Sequence, residues 1–258
     1  TVAGGDFDSD GDIDLFIGGR VVPGHYPEAP TSYLLENRNG QFVDVTQEVA
    51  PSIKNIGMVS SAVWTDFDDD SHLDLVLVGE FMPITIFKGD GIRLKNITAQ
   101  TSIAETNGLW NSIVAEDFDN DGDIDFVVGN IGLNSALKGT AEHPLRLDYA
   151  DFDANGFIDP ILSVYEEGEY YPLTSLDELT KQLPQLKKYI LHYRSYAKST
   201  TKDIMDFLGS QGHSTLESKM MQSSFIQNNG DKGFSVFPLP IEAQFAPVYG
   251  ILAEDLNF

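Results

Sequence analysis

The chain has 258 residues, of which 41% are hydrophobic and 11% aromatic, which is enough apolar material for a core and too much for a disordered chain. Its 40 acidic residues against 16 Lys and Arg give a formal net charge of −24, so nucleic acid and anionic membrane surfaces would both repel it. The absence of cysteine excludes disulfides and thiolate metal sites, and no apolar run is long enough to predict a membrane span.

A nine-residue, aspartate-rich segment occurs four times along the chain. The copies read DFDSDGDID, DFDDDSHLD, DFDNDGDID and DFDANGFID, and they begin at Asp6, Asp66, Asp117 and Asp151. Carboxylate or amide oxygens stand at positions 1, 3, 5 and 9, and glycine stands at position 6 in all copies but the second, where Ser71 replaces it. Alternating oxygens in a tight loop, with a backbone carbonyl at position 7, suit a hard cation.

The four copies together predict a set of metal ligands. Their 18 aspartates account for most of the excess acid, and without cations the carboxylates in each copy would repel one another. All-oxygen ligands favour Ca²⁺ over Mg²⁺, and zinc or copper would require histidine or cysteine. The predicted ligands, with the residue at position 7 contributing its carbonyl, are Asp6, Asp8, Asp10, Asp12, Asp14, Asp66, Asp68, Asp70, His72, Asp74, Asp117, Asp119, Asp121, Asp123, Asp125, Asp151, Asp153, Asn155, Phe157 and Asp159.

The flanking residues predict the structure in which these loops lie. An EF-hand requires glutamate at position 12 and flanking helices, but position 12 is apolar in every copy. Short apolar runs precede and follow each copy, so each loop is predicted to join two strands of a hairpin. Further hairpins are predicted around the turns at 38–40 and 88–91. Four strands within each of the first two intervals, of 60 and 51 residues, predict blades of a β-propeller.

The third and fourth intervals depart from this pattern. The third has only 34 residues and predicts an abbreviated blade, whereas the fourth predicts an insertion. Within that insertion, Ser175 and Glu178 form a capping box, Pro184 interrupts the helical pattern, and Thr200 with Asp203 begins another helix that ends at Gly209. We therefore expect blades over 1–173, a helical insertion within a blade over 174–222, and the remainder of that blade with the start of the next over 223–258.

The repeated loops, together with the phrase LENRNGQF at 35–42, resemble the FG-GAP/VCBS repeat family, which includes the integrin α-subunit propeller and bacterial secreted VCBS/ASPIC-type proteins. The resemblance implies an all-β fold, a fragment of a seven-bladed β-propeller with Ca²⁺ in the loop between the first and second strands of each blade. It also implies an extracellular or cell-surface location, including bacterial secretion or the periplasm. Because the residues at 253–258 resemble the opening of a fifth loop, we expect the chain to be a piece of a longer protein.

The sequence contains no phosphate-binding glycine loop, no Gly-x-Ser-x-Gly elbow and no histidine pair at metal spacing, and we assign no catalytic residue. The loops that follow the second strands are predicted to converge at the end opposite the metal loops. The ligand-binding candidates there are Arg20, His25, Tyr26, Glu80, Asn130 and Asn134. The alternative interpretation is that these are ordinary polar residues of sharp turns.

Three functions remain open from the sequence. The first is an extracellular binding or adhesion module for a glycan or a protein. The second is an enzyme, or an enzyme-associated domain, that acts on polysaccharide. The third is a scaffold whose helical insertion docks a partner.

Trp64 is predicted to pack in the core, and Trp110 either packs or provides a platform for a ligand.

Overall fold

The computed structural model describes residues 1–209 and 212–254. These residues form two compact units. The first, called here the main unit, contains Thr1–Val21, Glu28–Ser135 and the described residues of 221–258. The second, called the inserted unit, contains Val22–Pro27 and the described residues of 136–220. The fifth loop expected at 253–258 lies largely outside the described residues, and no described helix is long and apolar enough to cross a membrane.

The architecture is all-β, with four antiparallel sheets and short helices. The strands are β1 Val2–Gly5, β2 Asp14–Ile17, β3 Tyr33–Arg38, β4 Gln41–Asp44, β5 Met58–Thr65, β6 Asp74–Met82, β7 Thr85–Gly89, β8 Leu94–Asn96, β9 Gly108–Leu109, β10 Ser112–Glu116, β11 Asp125–Gly129, β12 Leu145–Ala150, β13 Asp159–Glu166, β14 Glu169–Pro172, β15 Ser214–Ser218, β16 Ser224–Asn228 and β17 Phe234–Pro238. The α-helices are α1 Thr46–Val49, α2 Leu176–Gln182, α3 Tyr193–Tyr196 and α4 Thr201–Leu208. The 3₁₀ segments are Pro51–Ile53, Thr98–Gln100, Pro184–Lys188, Gly230–Lys232 and Ile241–Gln244.

The main unit contains three sheets in which the first two strands flank an Asp-rich loop. Their strand orders are β1-β2-β3-β4, β5-β6-β7-β8 with β9 also paired to β6, and β10-β11-β16-β17. The hairpin between β3 and β4 turns through Asn39 and Gly40, which both have positive φ, as a two-residue hairpin turn requires. The predicted hairpins at 38–40 and 88–91 are therefore confirmed.

The third sheet differs from the expectation. The sequence assigned 223–258 to the remainder of the blade with the helical insertion and the start of the next. Ser224–Asn228 instead pairs with Asp125–Gly129, the strand that follows the third Asp-rich loop. The third sheet is thus not abbreviated: its first two strands are separated along the chain from its last two by residues 136–220. Interval length could not reveal this, because strand pairing across a long insertion leaves no local signal.

The inserted unit contains the fourth sheet, in the order β14-β13-β12-β15, with the fourth Asp-rich loop joining β12 to β13. Its helices begin as the sequence predicts. Ser175 and Thr200 each accept a hydrogen bond from the backbone N–H three residues later, and Glu178 and Asp203 complete the two capping boxes. Gly209 ends α4 with a φ of 68°.

Each unit has its own cluster of buried apolar side chains. In the main unit Phe16, Leu34, Leu75 and Leu77 are fully buried within one apolar cluster. Trp64 packs against that cluster and donates to the carbonyl oxygen of Ala3 at 3.2 Å, which confirms its predicted packing role. A separate cluster in the inserted unit packs α2 and α4 against β13, with Leu179, Leu183 and Ile204 fully buried.

Candidate metal centres

The four Asp-rich loops share one backbone conformation. In every copy the residues at positions 4 and 6 have positive φ, a region that favours glycine and tolerates few other residues. These φ values are 61° and 95° for Ser9 and Gly11, 56° and 69° for Asp69 and Ser71, 59° and 97° for Asn120 and Gly122, and 58° and 87° for Ala154 and Gly156. Ser71 therefore adopts a conformation that favours glycine, and the second loop keeps the same pair of positive φ values as the others.

The first aspartate of each loop holds this shape. Asp6 accepts the backbone N–H groups of Asp10 at 3.1 Å and Gly11 at 3.0 Å. The equivalent pairs of bonds, all between 2.8 and 3.2 Å, are present at Asp66, Asp117 and Asp151. The chain is thereby curled around one carboxylate, which turns the side chains at positions 3 and 5 toward the same space.

The ninth aspartate fixes the loop to its sheet. Asp14, Asp74, Asp125 and Asp159 are at most 3% exposed, and each accepts the backbone N–H of the phenylalanine at position 2 of its own loop. In the main unit the other carboxylate oxygen accepts a second backbone N–H, at 2.8 Å, from the third strand of the sheet. The donors are Asn37, Gly89 and Asn228. The ninth aspartate therefore joins the loop to the third strand.

Carboxylate oxygens converge in all four loops. In each of the following groups, the three side chains bring one oxygen apiece within 4.8 Å of the others: Asp6, Asp8 and Asp10; Asp66, Asp68 and Asp70; Asp117, Asp119 and Asp125; Asp151, Asp153 and Asp159. These groups contain predicted ligands from positions 1, 3, 5 and 9. Hard oxygen atoms at this spacing fit a cation such as Ca²⁺.

Electrostatic strain accompanies this convergence. Burial, together with the neighbouring carboxylate of Asp10, raises the pKa of Asp8. Burial raises the pKa of Asp74 and of Asp159 to about 6 in each case, with a smaller contribution from the other carboxylates of each loop. Since a nearby cation would favour the ionised form of each carboxyl group, bound metal would relieve this penalty.

A lysine lies inside the second cluster, and the sequence analysis missed it. Lys88 on β7 contacts the Asp68 carboxylate, and its Nζ lies 3.0 Å from Asp70 Oδ2. The hydrogen bond to Asp68 is the main cause of a Lys88 pKa above its usual range. Burial would raise the pKa of Asp70, but the bonds from Lys88 and from the His72 N–H outweigh it and lower that pKa. Extending the repeat alignment from the loop to the third strand would have revealed Lys88.

The six predicted ligand-binding residues differ in their burial and in the unit to which they belong. Arg20 and Glu80 make an ion pair of 2.5 Å, which leaves half of the arginine side chain exposed. Asn134 is exposed and donates to the carbonyl oxygen of Phe245. Asn130 is fully buried, which corrects its assignment as a ligand contact, since its side chain does not reach the surface.

The other two candidates, His25 and Tyr26, are half-buried and belong to the inserted unit. Trp110 is fully buried and donates from Nε1 to the carbonyl oxygen of Thr106 at 2.9 Å. Its role is therefore packing, and the alternative of a ligand platform is wrong.

A polar pocket of about 440 Å³ lies within the inserted unit. Two of its charged groups contact neighbouring side chains. Asp148 accepts a hydrogen bond from Thr215 at 2.5 Å and lies 3.6 Å from His213 Nε2. The guanidinium of Arg146 stacks over the Tyr170 ring at 4.8 Å. We assign this pocket no ligand.

Comparison with known proteins agrees with the loop geometry. An FG-GAP-like repeat model matches residues 6–77 and again residues 66–128, so each match begins at the first aspartate of a loop and extends into the β-strand after the next loop. No curated protein matches the chain. The chain therefore carries two FG-GAP-like repeats, in residues 6–128, which supports the resemblance to FG-GAP/VCBS repeat proteins.

Proposed function

We propose that the protein is an extracellular, calcium-binding β-propeller module that binds a glycan or protein ligand. The observation that carries the proposal is the recurrence of one carboxylate cluster in four loops of identical backbone conformation. A solvated acidic surface would not be expected to repeat the same pair of positive φ values and the same backbone bonds four times.

Calcium would be held by the side-chain oxygens at positions 1, 3, 5 and 9, which are carboxylates except at Asn155, and by the carbonyl at position 7. When bound, it would supply positive charge that neutralises the converging carboxylates. The shape and position of each loop come from the chain's own hydrogen bonds: the first aspartate curls the loop, and the ninth attaches it to the sheet. In this way calcium binding would stabilise the hairpin at the start of each sheet.

The composition of the sheets supports the proposed propeller arrangement. Each main-unit sheet contains at least four antiparallel strands, begins with a loop-bearing hairpin and recurs along the chain, as the blades of a propeller do. An extracellular location is supported by the loops themselves, because weak calcium modules with dissociation constants of about 10⁻⁴–10⁻³ M fill only where calcium is plentiful.

The proposed ligand surface includes Arg20, Glu80 and Asn134, which follow or end the second strands of the three main-unit sheets. The ion pair between Arg20 and Glu80 presents both charges on one partly exposed surface. Such a pair can donate to and accept from the hydroxyl groups of a sugar or the polar groups of a protein loop. We infer a non-catalytic binding role, because the described Asp clusters are engaged in loop structure rather than in acid–base pairs.

Calcium dependence is tested by thermal unfolding. Removal of calcium with EGTA should lower the melting temperature, and added Ca²⁺ should restore it while equimolar Mg²⁺ should not. Each occupied site would stabilise the fold by about 2.7 kcal/mol at a hundredfold excess of calcium over its dissociation constant. An unfolding curve that EGTA and Ca²⁺ leave unchanged would contradict the proposal.

Ligand binding is tested on a glycan array, with the calcium-loaded protein as the probe. The charge-reversed double variant Arg20→Glu with Glu80→Arg preserves the ion pair while exchanging the charges that a ligand would meet. We expect binding to be lost in this variant without a change in melting temperature. Product release during the assay would instead favour the enzymatic alternative, and unchanged binding would remove this surface from the proposal.

A further inference from the structure

One position on the third strand of each main-unit sheet lies beside the Asp-rich loop. The paired residues nearest the three loops are Leu15 with Leu35, Leu75 with Phe87, and Phe126 with Ile226. One step closer to the loop, the third strands carry Glu36, Lys88 and Gln227, and all three side chains are half-buried. Their chain neighbours Asn37, Gly89 and Asn228 make the backbone bonds to the ninth aspartates, which establishes that the three positions are equivalent.

The three residues have different charges and meet the loops differently. Lys88 contacts Asp68 and Asp70, at positions 3 and 5 of the second loop. Gln227 donates from its amide Nε2 to Asp119 Oδ2 at 2.6 Å, at position 3 of the third loop. Glu36 adds an acid beside the first loop and is held by Arg38 through hydrogen bonds of 2.6 and 2.9 Å.

The ammonium group of Lys88 competes directly with a metal ion. It uses the carboxylate oxygens of two of the three aspartates that converge in the second loop. A divalent cation bound by the same oxygens would lie close to this positive charge and be repelled by it. The neutral amide of Gln227 uses one oxygen and adds no charge, so the third loop meets no such repulsion.

We propose that Lys88 takes the place of the metal ion in the second loop, and that the residue at this third-strand position decides whether an Asp-rich loop of the main unit binds calcium. The second loop is then closed by an internal ion pair, whereas the first and third loops remain cation sites. Among the described residues, the fourth loop has no equivalent strand residue, because β14 pairs with β13 only from Ser163 onward, and this loop also remains a site. The inference rests on the proposed calcium binding of these other loops.

The strained second loop agrees with this assignment. Ser71 holds a φ of 69° where the other loops have glycine, yet the loop keeps the common conformation. The ion pair with Lys88 attracts the loop to β7 at every calcium concentration. The sheet built on β5 and β6 would therefore keep its loop closed when calcium is removed.

The test is the number of calcium ions bound per chain at saturation, measured by equilibrium dialysis on the full chain. Wild type should bind three. Lys88→Gln, which copies the residue of the third sheet, should bind four, and Gln227→Lys, which copies the residue of the second sheet, should bind two. Lys95→Gln is the matched control. Lys95 is exposed and lies opposite Lys88 on the neighbouring strand, and its substitution removes the same charge. This variant should bind three calcium ions.

The outcomes separate this inference from the proposed function. Four ions in wild type, or three in both wild type and Lys88→Gln, would overturn the role of Lys88 while leaving calcium binding intact. No bound calcium in any variant would overturn the proposed function and this inference with it. Melting curves of each variant in EGTA establish that it is folded before its ions are counted.

Discussion

The Asp-rich loops of the main unit and of the inserted unit have the same local structure in different surroundings. In the main unit the ninth aspartate accepts two backbone N–H groups, one from its own loop and one from the third strand. In the inserted unit Asp159 also accepts the N–H from its own loop, but the Gln182 side chain, at the end of α2, replaces the strand donor. One motif thus serves two sheets with different strand orders.

This difference teaches what the motif encodes. Nine residues fix a hairpin loop and its converging carboxylates, because the two bonds to the first aspartate that curl the loop are made within it. They do not fix the sheet, because the second hydrogen-bond donor to the ninth aspartate comes from a strand in the main unit and from a helix in the inserted unit. The shape of the loop is therefore local, and its attachment to the sheet is not.

The largest expected effect comes from removing the ninth aspartate. Asp14→Ala would leave two buried N–H groups without an acceptor, at about 1–3 kcal/mol for each group. Asp159→Ala would leave one such N–H and the Gln182 side-chain amide without this acceptor. Because the Gln182 side chain can rotate to another acceptor, the loss of stability should be about half as large. Chemical denaturation in EGTA, which removes any contribution from metal, measures both. Equal losses of stability in the two variants would show that the hydrogen bond from the third strand adds nothing to stability.

A second effect should appear with pH in calcium-free protein. The pKa of Asp74 and that of Asp159 are raised to about 6 in the folded state, one in each unit, so these two carboxyls bind more protons in the folded chain than in the unfolded chain between about pH 4 and pH 6. Stability contributed by the neutral carboxyls is therefore lost as pH rises through 6.

The gain in stability on lowering the pH from 7.5 to 5 should be on the order of 2 kcal/mol, after allowing for solvent screening. Denaturant midpoints in EGTA at the two pH values measure it. Saturating calcium should reduce the difference, because bound cations favour the ionised carboxylates. A calcium-free protein that is more stable at pH 7.5 would contradict this account of loop electrostatics.

The smallest effect distinguishes the second loop from the first. Ser71→Gly removes a side chain from a left-handed position and should stabilise the protein by about 1 kcal/mol. Gly11→Ala makes the reverse change at the same position of the first loop. Its added Cβ would meet no atom within 4 Å, so backbone strain alone should destabilise by a similar amount. Thermal unfolding of both variants measures these effects. Melting temperatures that shift in the same direction in the two variants would contradict the backbone strain at this position.

The sequence predicted what depends on neighbours along the chain. The four loops, the hairpins, the capping boxes at Ser175 and Thr200 and the C-cap at Gly209 all follow from local spacing. It could not predict that β16 pairs with β11, because residues 136–220 separate the partners along the chain. The burial of Asn130 depends on packing that local polarity does not reveal. Lys88 was missed for a related reason, since its contact with Asp68 crosses a strand pair rather than a loop.

Calcium occupancy can be observed directly by anomalous diffraction from crystals of the protein grown with calcium. The account predicts anomalous density in the first, third and fourth Asp-rich loops, coordinated by the clustered carboxylates, and none in the second loop, where Lys88 contacts Asp68 and Asp70. Absence of anomalous density from the first, third and fourth loops would contradict calcium binding. Density in the second loop, with Lys88 displaced from the carboxylates, would contradict the assignment of Lys88.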